Sequence, residues 1–117
     1  MPDTQKDLYK KLYGKIGENL VVKQLKKLGY KVVNRNFTTP YGEADLVVKK
    51  DGVIVFVEVK ARTSDLFGEP KDAVGYKKQE KYRKIASYYM QKHGETSVSF
   101  AVAEVFGEAV NIIFNAF

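Results

Sequence analysis

The chain has 117 residues, enough for one domain (residues 1–117) with its own core, and it has no cysteine, which excludes disulfides and thiolate metal sites. Lys and Arg number 20 against 14 Asp and Glu, giving a formal net charge of +6, and there are eight tyrosines and seven phenylalanines. Such a composition suits a polyanionic partner such as nucleic acid, and with no apolar run near the roughly 20 residues of a membrane span, a cytoplasmic protein is expected.

The first predicted element is a long helix over residues 4–28. Apolar residues recur there at helical spacing, namely Leu8, Leu12, Ile16, Val21, Leu25 and Leu28. Gly29 suits the position just past its end. Glu18 lies in this helix, where one of two open interpretations is a solvated helix residue and the other is a functional acid.

Residues 30–37 are predicted to form the first strand, and residues 38–42 the connection that follows. Arg35 near the end of this strand has two interpretations that the sequence leaves open. It either contacts a phosphate or pairs with an acidic side chain.

Residues 44–49 and 53–59 are predicted to be two strands joined by Asp51 and Gly52, a pair typical of a type I′ hairpin turn. The second of these strands is apolar and β-branched except for Glu58. That pattern indicates a strand covered on both faces, so a carboxylate at this position is costly.

The hairpin fixes a register. With a two-residue loop, Lys50 faces Val53, and counting outward places Asp45 directly opposite Glu58, with Cβ atoms about 5 Å apart on one face. Lys60, two residues further, points to that same face. A four-residue loop keeps the acids on one side, whereas a three-residue loop does so only with a bulge.

Two adjacent carboxylates repel, so one must take a proton, pair with a cation or bind a metal. Asp45 and Glu58 could hold Mg²⁺ or Mn²⁺ beside a substrate phosphate, because these ions prefer oxygen ligands. Lys60 could then orient a water or neutralise charge that develops on a phosphate oxygen. The alternative is a salt-bridged trio that only joins two strands. Spacing alone leaves both open.

Residues 61–69 show no periodicity and are predicted to be a loop beside these acids, where Arg62 either contacts phosphate or is simply solvated. Residues 70–93 have the spacing of a helix that starts near Pro70 and stops at Gly94. Its polar face carries a series of lysines.

Residues 98–106 and 109–114 are predicted to be two strands joined at Gly107. The element order is therefore helix, three strands, helix, two strands. This order predicts an α/β layer fold in which a mixed central sheet is flanked by helices.

Asp45 followed by the triplet that starts at Glu58 and ends at Lys60 resembles the signature of the PD-(D/E)XK nucleases. The wider pattern resembles the YraN-type family of small bacterial endonuclease-like proteins, itself similar to archaeal Holliday junction resolvases. The matching elements are Gly17-Glu18, Gly29-Tyr30, Arg35-Asn36, residues 42–46, residues 56–62, Gly68 with Pro70, Ala73-Val74, Lys78-Gln79 and Asn115-Ala116-Phe117.

The resemblance implies a restriction-endonuclease-like fold and a Mg²⁺- or Mn²⁺-dependent endonuclease that acts on DNA, including branched DNA. It implies that Asp45 and Glu58 are catalytic metal ligands and that Lys60 assists the attacking water. It also implies that Glu18 reaches toward them as a further catalytic acid.

Nucleic-acid contacts are expected at Arg35 and Arg62 from their positions, and at Lys78 and Gln79 because they match the family's Lys-Gln pair, with RNA as an alternative substrate. One departure is visible, because the family's late-strand Arg-Phe-Asp is replaced by a triplet that ends in Ala101. A catalytically inactive nucleic-acid-binding module on the nuclease fold is therefore the alternative function.

A weak homodimer is a further expectation, because the resolvases that this chain resembles are two-fold dimers and two-fold symmetry is common among small proteins. The alternative is that both faces of the C-terminal strand are covered within one chain. The C-terminal strand supplies the candidate contact. Its adjacent apolar residues exceed what a strand with one covered face can bury, namely Ile112, Ile113, Phe114 and Phe117.

Overall fold

A computed structural model of the chain describes residues 5–61 and 75–117. Its elements in chain order are α1 (Gln5–Lys27), β1 (Lys31–Thr39), β2 (Gly42–Lys50), β3 (Val53–Ala61), α2 (Tyr76–His93), β4 (Ser97–Phe106) and β5 (Ala109–Ile113). The α/β class and the predicted element order are confirmed. Within the described ranges, no helix is both long enough and apolar enough to cross a membrane.

The five strands form one sheet in the order β1-β2-β3-β4-β5. β3 and β4 run parallel, whereas the other three neighbouring pairs run antiparallel. α2 lies between β3 and β4 in the chain, as a parallel connection requires. The predicted mixed sheet is therefore confirmed.

The hairpin between β2 and β3 has the predicted two-residue loop, and Lys50 pairs with Val53. Asp51 and Gly52 both have left-handed φ angles, +50° and +79°. A type I′ turn requires this conformation at both central residues, and glycine adopts it without steric cost. The turn therefore sets the register of every residue further along the hairpin.

Each helix covers one face of the sheet. Val21 and Leu25 of α1 pack in a buried cluster with Ala101 and Ala103 of β4. On the opposite face, Tyr82, Ile85 and Tyr89 of α2 pack in a second cluster that includes Phe56 and Phe100. β3 contributes to both clusters, which confirms the prediction that it is covered on both faces.

The regular alternation of side chains between the two faces of β2 is interrupted at Asp45. Ala44 packs on the α2 side of the sheet and Leu46 on the α1 side, although residues two apart in a regular strand share a face. Asn36, which lies opposite Asp45 in the β1–β2 register, has a left-handed φ of +52°. The irregularity leaves Asp45 at the boundary between the two faces, with access to both.

α2 begins at Tyr76, because the preceding Gly75 has an extended backbone with φ −74° and ψ 168°. The predicted start near Pro70 and the predicted loop at residues 62–69 lie outside the described residues. The helix ends as predicted at Gly94, whose N–H donates to the Met90 carbonyl at 2.8 Å.

The C-terminal segment folds back onto its own chain. The Phe117 ring stacks on Phe100 with centroids 4.7 Å apart, and the Ala116 N–H donates to the Phe100 carbonyl at 2.9 Å. Phe114 stacks on Tyr30 at 5.6 Å and remains 36% exposed. Phe117 is thus accommodated within the chain, while Phe114 keeps part of its ring in solvent.

Candidate functional site

Glu58 is a buried carboxylate on the α2 side of β3, with only 7% of the residue exposed. Its Oε1 forms an ion pair with Lys78 Nζ of the first turn of α2. Its Oε2 is buried and has no hydrogen-bond partner among the described residues. An anionic oxygen without a donor is costly in a protein interior, so this atom is an available ligand for a cation.

Asp45 is partly buried beside the end of β3, where its Oδ2 accepts a hydrogen bond from the Val59 N–H at 2.7 Å. The side chain thereby takes a donor that a neighbouring strand would otherwise use. Burial raises the pKa of Asp45, the Val59 N–H opposes this rise, and the nearby Glu58 carboxylate adds to it. The two acids are therefore electrostatic neighbours.

The predicted direct pairing of Asp45 with Glu58 is a point of correction, because the described β2–β3 pairs end at Leu46 with Val57. The regular side-chain alternation of β2 is interrupted at Asp45. Its carboxylate accepts a hydrogen bond from the Val59 N–H, and the regular backbone pairing of β2 with β3 does not continue to this residue. The two acids still lie close enough for the charge of one to raise the pKa of the other.

Glu18 approaches Asp45 from the α1 side. Burial raises the pKa of Glu18, Arg35 opposes this rise, and the Asp45 carboxylate adds to it. Arg35 Nη1 lies 3.9 Å from Glu18 Oε1 and donates to Asn19 Oδ1 at 2.8 Å. Arg35 therefore pairs with an acid, and its contact with phosphate stays a prediction.

A cleft of about 780 Å³ opens beside Glu18 and Asp45. Its remaining lining is mostly apolar or glycine and comes from the described parts of α1, β3, β4 and the β4–β5 turn, namely Gly14, Ile16, Gly17, Val59, Ala61, Val105, Phe106, Gly107 and Glu108. Asp45 thus faces this cleft on one side and has Glu58 on the other.

Lys60 lies next to Glu104 in the parallel pairing of β3 and β4. Glu104 is fully buried, and its Oε1 accepts a hydrogen bond from Asn111 Nδ2 at 3.4 Å. Sequence reasoning missed Glu104. The signal that singled out Glu58, one acid inside an apolar strand, was present there too.

Tyr82 of α2 adjoins Asp45, and Gln79 lies one turn before it in the same helix. Tyr82 is buried and hydrogen-bonds the Asp45 backbone; burial raises its pKa, as do the Asp45 and Glu58 carboxylates, so its hydroxyl stays protonated. Gln79 follows Lys78 and is half-buried, with its backbone N–H bonded to the Gly75 carbonyl at 3.0 Å. Arg62 lies outside the described residues.

Asp45 and Glu58 are the side chains that could hold a metal. Within residues 5–61 and 75–117, no three His, Asp or Glu side chains form a ready-made metal cluster. Mg²⁺ does not need one, because it is commonly bound through one or two carboxylates together with waters and substrate phosphates. The donor set and the available Glu58 Oε2 fit such an ion.

A single five-stranded sheet covered by one helix on each face, with acids from both faces close to Asp45, defines a small α/β protein with a carboxylate- and lysine-lined site. The chain belongs to the Uncharacterised protein family UPF0102, which its residues 17–105 match. This confirms the YraN-type resemblance as a family relationship. The matched stretch contains the site acids and Lys60.

The relatives are similar over most of their length. A UPF0102 protein of Thermodesulfovibrio yellowstonii is 43% identical over 105 residues, covering 89% of this chain and 94% of the relative. A UPF0102 protein of Syntrophomonas wolfei is 44% identical over 107 residues, covering 86% and 93%. Another, from Clostridioides difficile, is 38% identical over 108 residues, covering 89% and 95%.

Proposed function

We propose that this protein is a Mg²⁺- or Mn²⁺-dependent endonuclease that hydrolyses phosphodiester bonds in DNA, including branched DNA. The observation that carries the proposal is Glu58, a buried strand carboxylate with an unbonded oxygen among the described residues and Asp45 beside it. Folding alone gains little from such a group, since replacing buried ion pairs with apolar residues is often neutral or stabilising.

In this proposal Asp45 and Glu58 hold the metal, and the Val59 N–H fixes the direction in which the Asp45 carboxylate points. A metal bound there supplies Lewis-acid stabilisation of phosphate charge and lowers the pKa of a coordinated water. Lys60 orients the attacking water or neutralises charge on a phosphate oxygen. Glu18 contributes a further acid from α1, held in place by Arg35.

Lys78, Gln79 and Arg62 are proposed to contact the DNA backbone beside the cleaved bond. Arg35 is already paired with Glu18, so its proposed part is to orient that acid as well as to attract phosphate. The chain offers no recognised base-reading motif, and backbone contacts position a protein without reading sequence. Recognition by shape is therefore expected, with RNA as the alternative substrate.

The test combines metal binding with cleavage. Calorimetry with Mn²⁺ compares the parent with Asp45→Ala and Glu58→Ala, and labelled junctions, flaps, duplexes and single strands are incubated with Mn²⁺. We expect both substitutions to weaken Mn²⁺ binding and Lys60→Ala to abolish cleavage while leaving Mn²⁺ binding intact. Glu80→Ala is the matched control, because Glu80 is an exposed acid on α2 that hydrogen-bonds only Tyr76 among the described contacts. Mn²⁺ binding as tight in both acid variants as in the parent contradicts the proposal.

A second candidate is a nucleic-acid-binding module without turnover. It is favoured by Ala101, which is 1% exposed and packs in the α1-side core, so this position contributes no polar group. Binding that survives both metal removal and Lys60→Ala, with no product from any substrate, supports the module. Such binding weakens steeply with salt, because it depends on counterion release.

A further inference from the structure

The lysines of α2 are gathered on one flank of the helix. At about 100° per residue, five lysines fall within an arc of roughly 120°, whereas Arg83 projects on the far side. These five, which we name the lysine flank, are Lys77, Lys78, Lys81, Lys84 and Lys92. Solvation alone does not require this one-sided arrangement, since α2 also exposes other positions around its outer surface.

The lysine flank begins at the candidate site and runs away from it. Lys78 contacts Glu58, and the Lys81 side chain crosses the β1–β2 hairpin at Gly42, where an added Cβ would lie 2.7 Å from Lys81 Cδ. Lys84 follows one turn later, about 9 Å along the axis from Lys78. The positive charges therefore form a row that leads outward from the carboxylates.

Tyr41 stands beside this row at the tip of the β1–β2 hairpin. It is 52% exposed, and Lys84 Nζ lies 6.0 Å from the centre of its ring. The Tyr41 N–H donates to Thr39 Oγ1 at 3.1 Å, and that hydroxyl also bonds the Gly42 carbonyl at 2.8 Å. A short, internally bonded turn thus presents a large aromatic face to solvent between positive charges.

We propose that the lysine flank and Tyr41 form a track for a single-stranded stretch of nucleic acid that leads to Asp45 and Glu58. The phosphates follow the lysines and a base stacks on Tyr41. Aromatic rings beside a basic groove are the usual means of binding single strands, because every unpaired base offers a face for stacking. A duplex keeps its bases stacked internally and gains nothing from the ring.

The inference rests on the proposed function and narrows its substrate class to nucleic acids with an unpaired stretch beside the cleaved bond. The positive charge of the lysine row complements the negative charge of the nucleic-acid backbone. The row starts at Glu58, which is where the phosphate to be cleaved must lie in the proposed function. The lysines alone would serve a duplex equally well, so Tyr41 is the residue that distinguishes the two substrates.

The test measures binding in a chelator, where no cleavage occurs, by fluorescence anisotropy of a labelled single-stranded oligothymidine and of a hairpin duplex. Tyr41→Ala is expected to weaken single-strand binding on the order of tenfold, and duplex binding less than twofold. Tyr41→Phe is expected to keep both, because the ring remains. Tyr76→Ala is the matched control, since Tyr76 is 70% exposed but lies on the other side of α2.

A second measurement isolates charge. Replacing Lys81 and Lys84 with Ala is expected to reduce the salt dependence of single-strand binding by about 1.4 units of log–log slope, about 0.7 for each lost phosphate contact. The control replaces Lys23 and Lys26, which are exposed lysines of α1. Equal changes in the two double variants show that net charge alone acts, and they overturn the track.

The outcomes separate this inference from the proposed function. Equal loss of single-strand and duplex binding in Tyr41→Ala overturns it in favour of duplex recognition, and no loss of either overturns it outright. Selective loss without cleavage of any substrate in Mn²⁺ supports the track while the proposed endonuclease fails. Cleavage by a Tyr41→Ala variant with unchanged single-strand binding leaves the endonuclease and refutes the track. Thermal unfolding of each variant confirms that it is folded.

Discussion

Because Lys78 forms an ion pair with Glu58, we expect Lys78→Ala to destabilise the fold and to strengthen cation binding. The Glu58 side chain is 9% exposed and that of Lys78 is 44% exposed. Removing one partner of a buried pair costs about 3–5 kcal/mol, whereas exposed pairs contribute about 0–1 kcal/mol. Only the Lys78 side of this pair is exposed to solvent, so its contribution should lie between the buried and the exposed ranges. Lys78→Ala is therefore expected to lower the free energy of unfolding by about 2 kcal/mol at neutral pH.

The same substitution removes the cation that competes with a metal for the Glu58 carboxylate. If about 1.4 kcal/mol of the pair energy no longer opposes metal binding, Mn²⁺ affinity rises on the order of tenfold. Urea unfolding without metal measures the first effect and calorimetry measures the second. Lys84→Ala is the control, because Lys84 lies on the same flank and contacts Tyr41 instead. Mn²⁺ binding to Lys78→Ala that is no tighter than in the parent refutes the reasoning.

Three further predictions concern the acid, the tail and assembly. Burial raises the folded-state pKa of Asp45 above its unfolded value, so stability present at low pH is lost as pH rises from about 4 through the folded pKa. Asp45→Asn should therefore show a smaller decline in thermal stability between pH 4 and 7, and an equal decline contradicts this. Phe117→Ala should lower the free energy of unfolding by about 2 kcal/mol, about half the cost for a fully buried phenylalanine, because the ring is half-buried on Phe100; urea unfolding within about 0.5 kcal/mol of the parent contradicts the docking. Phe114 and the half-exposed edge strand β5 favour a weak homodimer, which light scattering across a concentration series detects; a monomeric mass at high concentration, with and without junction DNA, excludes it.

The β2–β3 hairpin was predictable because its information is local. Asp51 and Gly52 specify the turn, the turn specifies the register, and the apolar alternation on either side agrees with both. The burial of Glu58 followed from its apolar neighbours in the same strand. These features depend on residues that are close in sequence, so the sequence alone determined them.

The position of Asp45 was not predictable by counting from the turn. Counting assumes a regular strand. The side-chain alternation of β2 is interrupted where Asn36 of β1 adopts a left-handed conformation. Asparagine tolerates that conformation better than most residues, but its effect on β2 depends on the pairing of two strands. Glu104 was missed for a related reason. Its position beside Lys60 depends on the parallel register of β3 and β4, which no turn sets.

The interrupted side-chain alternation of β2 explains how acids from opposite faces of the sheet lie close to one another. In a regular strand Asp45 would face a single helix, and the sheet would separate Glu18 of α1 from Glu58 beneath α2. At the boundary between the faces, the Asp45 carboxylate interacts electrostatically with both Glu18 and Glu58. The distortion removes a regular pairing from the ladder, and the Val59 hydrogen bond restores part of that loss. The local backbone irregularity is therefore what joins the α1-side cleft to the buried carboxylate and lysines on the α2 side.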